Sequence, residues 1–195
     1  MEDEIEFLSL PNVIKYAIVY LDKKDYESLH MIENRALEQA ITDYNKDFSE
    51  VCVMIYGLRK LISKKHIFET EEWTVYQKKI IENLNSSLIN YKEEDLSKFN
   101  NFIKDTMAII KDADRKLGRY VSVVIEDGRI KLASTAYAYG LSAAQASDLL
   151  SISKKQLMSY VGITKMPDED KQFKSISERV HLLDVMSGVN AGDNK

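Results

Sequence analysis

A chain of 195 residues with two prolines, seven glycines and one cysteine is too poor in turn formers for a β-sandwich and cannot close an internal disulfide. Its 45% hydrophobic and 30% charged residues set it apart from disordered chains, and its net charge of −4 argues against a broad, sequence-independent grip on nucleic acid. No apolar run approaches the ~20 residues of a membrane span. The acidic start "MEDEIEFLSL" lacks the basic-then-apolar order of a signal peptide, so a soluble cytoplasmic protein is expected.

The first two-thirds reads as amphipathic helices. In "SLPNVIKYAIVYL", Leu10, Val13, Ile14, Ala17, Ile18 and Leu21 share one face, with Ser9 and Pro11 as start signals. Leu29, Ile32, Ala36, Leu37, Ala40 and Tyr44 form the next stripe, and Phe48, Val51, Cys52, Ile55, Leu58 and Ile62 the third. Cys52, inside "VCVMIYGL", reads as buried rather than reactive. Thr70 before Glu71, Glu72 and Trp73 is a capping-type start, and Trp73, Tyr76, Ile80, Leu84, Leu88 and Tyr91 continue that face. Leu96, Phe99, Ile103, Ile110, Ala113 and Leu117 define a further helix. Each stripe must be buried against a neighbour or a second chain. The fold class expected is all-α, with at least five helices. Tyr16, Tyr20, Tyr26 and Tyr44 add more apolar surface than one small bundle readily covers, which points to a homodimer through the N-terminal helices.

Beyond Gly118 the pattern changes. "RYVSVVIEDGRIKL" alternates Val121, Val123 and Ile125, then reaches Asp127-Gly128, then Ile130 and Leu132. A β-hairpin over 119–132 with an Asp-Gly turn explains this; a helix broken at Gly128 is the other reading. The expected division is a helical bundle over 1–117, for dimerisation or partner binding, and a second unit over 118–195. A short helix is expected from Ser177 to about Met186, before a disordered end, "SGVNAGDNK".

The stretch "LSAAQASDLLSISKKQLMSYVG" carries the clearest motif. Gly140 ends one helix and Ser142 caps the next. Ala146 sits where two crossing helices come closest, and Leu149 and Leu150 point inward. Ser151-Ile152-Ser153 is a turn, with Ile152 plugging the core and Ser153 capping a second helix. Leu157, Tyr160 and Val161 pack back, which leaves Lys154, Lys155, Gln156 and Ser159 outward. This is the layout of a helix-turn-helix.

"QASDLLSISKKQLMSYVGITKMPDED" is similar to the C-terminal helix-turn-helix of small archaeal regulators and antitoxins, over roughly Ile130 to Asp168. Ser147 stands where that group usually has a second alanine, and Ser151 where it has a turn glycine. The resemblance implies double-stranded DNA as a partner, and a PIN-domain ribonuclease toxin as a further one.

Residue chemistry assigns Lys154 and Lys155 to phosphates or guanine edges, Gln156 to an adenine edge, and Ser142 and Ser159 to backbone phosphates; Lys165 joins the set. The charge distribution agrees: 1–128 carries −6, 129–166 carries +4 and 167–195 carries −2. Two other readings remain open, a protein-binding module and a ligand-sensing helical domain coupled to the motif. No phosphate-cradling glycine loop is present, and His30, His66 and His181 are scattered without a second ligand at metal spacing. Glu71-Glu72 and Glu93-Glu94-Asp95 read as acidic helix starts rather than catalytic pairs. No enzyme activity, cofactor or metal is expected.

Overall fold

The computed structural model describes residues 9–118 and 123–164. Among them are nine helices and no strand: α1 (Leu10–Asp22), α2 (Tyr26–Thr42), α3 (Lys46–Ile62), α4 (Lys65–Phe68), α5 (Glu71–Lys92), α6 (Leu96–Leu117), α7 (Val124–Ala138), α8 (Ala143–Leu149) and α9 (Lys154–Thr164). The all-α expectation holds. The 177–186 helix, the end of the chain and Lys165 lie outside the described residues.

Helix α3 is the axis of the molecule. It is buried almost all round, because Val53, Met54, Tyr56 and Leu61 are covered as well as the expected stripe. Helices α1, α2, α6 and α7 surround it. Cys52 is buried here, its thiol donates to the Glu33 carbonyl at 3.3 Å, and burial pushes its pKa well up. Helices α2 and α3 form an antiparallel hairpin, as do α5 and α6, where Tyr91 meets Phe99 edge-on near one end and Tyr76 meets Asp112 near the other.

The connections explain how so few glycines suffice. Lys24, Tyr44 and Glu94 each take a left-handed conformation one residue past a helix C-cap, with φ of 54°, 49° and 59°. The next residue closes each turn: Asp25 N–H donates to Tyr20 C=O, Asn45 to Ala40 and Asp95 to Asn90. Those same residues, Asp25, Asn45 and Asp95, then cap the following helix with their side chains. A polar pair thus stops one helix and starts the next. This corrects two expectations. Tyr44 belongs to a turn and is 41% exposed, rather than extending the α2 stripe. Glu93 and Glu94 finish α5, leaving Asp95 as the N-cap of α6.

The hairpin over 119–132 is also corrected, for Val124 onward. Residues Val124–Ala138 are one uninterrupted helix, so the alternative break at Gly128 is absent too. Gly128 serves a close approach rather than a turn. A Cβ placed there would lie 2.6 Å from Tyr56 Cδ1, and one at Gly57 would lie 2.8 Å from Ile125 Cδ1. These two glycines let α3 and α7 pack closely.

Candidate nucleic-acid interface

Helices α7, α8 and α9 pack on one another, with Leu132, Ala133 and Ala136 of α7 facing the core and Ala146, Leu149, Leu150, Leu157 and Val161 buried beyond them. Helix α7 ends in Gly140, whose φ of +113° suits glycine, and Leu141 N–H closes the turn on Ala136 C=O at 3.2 Å. Ser142 then opens α8 with a reciprocal capping box. Its hydroxyl accepts from Gln145 N–H at 3.2 Å, and Gln145 Oε1 accepts from Ser142 N–H at 2.9 Å.

The α8–α9 turn repeats this chemistry. Ser151 has φ of 55°, and Ile152 N–H donates to Ser147 C=O at 2.9 Å. Ser153 Oγ accepts from Gln156 N–H at 3.1 Å while Gln156 Oε1 accepts from Ser153 N–H at 2.9 Å. Ile152 is half-buried against the core. The left-handed conformation at Ser151 costs a β-carbon-bearing residue roughly 1–2 kcal/mol, partly offset by glycine's larger unfolded-state entropy. Ser151→Gly is therefore expected to stabilise the chain by about 0.5–1 kcal/mol, seen as a melting temperature a few degrees higher; a lower one would refute it.

The α8–α9 pair is latched to the rest of the molecule by groups far back in the chain. Ser49 Oγ, buried on α3, donates to Leu149 C=O at 2.7 Å, and Arg129 Nη1 donates to Leu150 C=O at 3.1 Å, so the last carbonyls of α8 are satisfied. Arg129 also grips Glu50 with two bonds of 2.6 Å. Asp148 accepts from Lys46 at 2.8 Å and Tyr44 at 2.8 Å, which together hold its carboxyl below the ordinary aspartate range. Apart from Arg129–Leu150, these contacts span the 117/118 division expected from sequence. They also spend Arg129, one of the five basic residues behind the positive count.

Lys154, Lys155 and Ser159 lie exposed on α9, as does Gln156. Among the described residues no carboxylate lies within 4.0 Å of either lysine ammonium. Both lysines sit in the first turn of α9, where the helix dipole disfavours cations and the turn contains no acidic residue. Ser142 is exposed at the α8 N-terminus with its hydroxyl engaged in the cap. Gln156 has its carbonyl oxygen tied to Ser153; a two-bond contact to adenine would require that oxygen as well as the amide nitrogen, so the cap would have to open. The two Ser-x-x-Gln boxes, "SAAQ" and "SKKQ", were a legible signal for this commitment.

No described helix is long and apolar enough to cross a membrane. No family model, curated protein or solved structure matches this chain.

Proposed function

We propose that the chain is a DNA-binding regulator, antitoxin-like in its last third, whose α8–α9 pair acts as a helix-turn-helix. The observation that carries this reading is the first turn of α9. Two ammonium groups, without carboxylate contact among the described residues, crowd a helix N-terminus, while the opposite face, Leu157 and Val161, is locked into the core. That placement weakens a free helix and becomes favourable once phosphate sits against it. Lys155 and Ser159 face outward together, as a helix lying in a major groove requires. The resemblance to archaeal regulators supports the same reading, with a PIN-domain toxin as the partner it suggests.

Two lysines per chain give a small footprint, so we propose that the protein works as a homodimer. Tyr16 and Val19, 40% and 43% exposed on α1, are the surface offered for pairing. The available apolar surface is narrower than sequence suggested. Tyr20 and Tyr26 are half-buried, and Tyr26 is bonded to Arg59.

Titration of duplex DNA against the parent and the Lys154→Ala/Lys155→Ala variant over a range of salt tests the reading. Two lost phosphate contacts should lower the magnitude of the log-affinity versus log-salt slope by about 1.8, with a melting temperature no lower than the parent's, since the helix dipole no longer opposes two cations. An unchanged slope would favour the second reading, a protein-binding face. The observation behind that alternative is Met158, 42% exposed beside the lysines.

A further inference from the structure

One aromatic and three cationic side chains lie along the α3–α7 interface, on the helix α7 that also packs against α9. The Tyr56 ring, buried against Gly128, has the Arg59 guanidinium 5.3 Å from its centroid and the Lys60 ammonium at 5.5 Å. Lys131 of α7, exposed, follows Gly128 by three positions and so shares the side of the helix that packs on the Tyr56 ring; the field of Tyr56 favours its charged form. The charge of Arg59 is spent on Glu33, which it holds with two bonds of 2.7 and 3.0 Å. Lys60 and Lys131 have no such carboxylate: among the described residues none lies within 4.0 Å of either. Asp127 acts on Lys131 only from a distance. Burial, followed by the fields of Arg59, Lys131 and Lys64, disfavours the charged form of Lys60. The cost of this crowding falls on Lys60, and α7, which carries Lys131, packs in turn against α9, the helix whose outer face carries Lys154 and Lys155.

We propose that Lys60 and Lys131 form a second phosphate-contacting surface, extending the α9 footprint across α7 onto α3 so that a DNA backbone is gripped outside the groove. The inference rests on the DNA-binding reading and adds contacts that sequence proximity does not suggest. A phosphodiester track suits the site. It is anionic, it is open to solvent at Lys131, and its repeating charge could meet α9 and the Tyr56 cluster at once. Binding it would also relieve the repulsion between Lys60 and its cationic neighbours.

The full chain, titrated with duplex DNA over a salt series, provides the test. Lys60→Gln and Lys131→Gln each remove a charge while keeping much of the side-chain stem. Each should lower the slope magnitude by about 0.9, and the pair by about 1.8 with a loss of affinity on the order of tenfold or more at ~0.1 M salt. Lys60→Arg/Lys131→Arg should keep the parent slope. If Lys154→Ala/Lys155→Ala lowers the slope but the glutamine pair binds as the parent does, this inference falls and the α9 reading stands. A parent with no salt-dependent binding to duplex DNA overturns both. An arginine pair that loses slope as the glutamine pair does would show a structural effect in place of a charge contact, and would equally overturn it.

Discussion

Arg59→Met is expected to destabilise the protein by about 3–5 kcal/mol, the usual cost of leaving one charge of a buried pair uncompensated. Arg59 and Glu33 are both buried, and the guanidinium donates to the two carboxylate oxygens at 2.7 and 3.0 Å. Its third bond, 2.6 Å to the Tyr26 hydroxyl, and the flanking Tyr26 and Tyr56 rings fix its orientation. Methionine fills part of the volume and leaves the Glu33 carboxylate facing apolar groups. For a chain of this length the loss corresponds to a fall of roughly ten degrees in melting temperature. Removing both charges, in Glu33→Leu/Arg59→Met, should recover most of it, since two well-packed apolar side chains often match a buried ion pair. A single variant that melts within a degree or two of the parent would show that the pair contributes little.

Gly128→Val should destabilise by about 1–3 kcal/mol, the range for forcing extra carbons into a packed interface. The added Cβ would fall 2.6 Å from Tyr56 Cδ1. Tyr56 is itself buried, with Arg59 and Lys60 against its ring, so it has little room to turn aside. The strain must then move α7 away from α3. Because Arg129 and Ser49 join that interface to the α8 C-terminus, faster hydrogen exchange is expected in α8 and α9 as well as a lower melting temperature. Gly128→Ala is the milder comparison: it meets the same ring but gains about 1 kcal/mol of helix propensity. Parent-like exchange in α8 and α9 for the valine variant would mean that the two helices are not coupled through this contact.

Much of this architecture is readable from local patterns. Steps of three and four between apolar residues placed the helical stripes, because a helix brings such positions onto one face whatever surrounds it. Thr70, Ser142, Ser153 and Gly140 marked helix ends correctly, since capping is settled within one turn of the chain. The inward set Ala146, Leu149, Leu150, Leu157 and Val161 was equally legible.

What local pattern could not carry is the use to which a residue is put by a distant partner. Asp127-Gly128 has the chemistry of a hairpin turn, and only the Tyr56 ring across the interface explains a glycine within an unbroken helix. Arg129 counts as a free positive charge in sequence and is consumed by Glu50, 79 residues away. Lys60 falls among the apolar residues of α3 in sequence, and only the fold shows its ammonium over the buried Tyr56 ring. The sequence by itself determined most of the helices and several of their ends, because those depend on neighbours within about four positions. Only the tertiary structure decided which charges are spent on packing and which remain for a partner, because ion pairs and close helix contacts join residues that the chain keeps far apart.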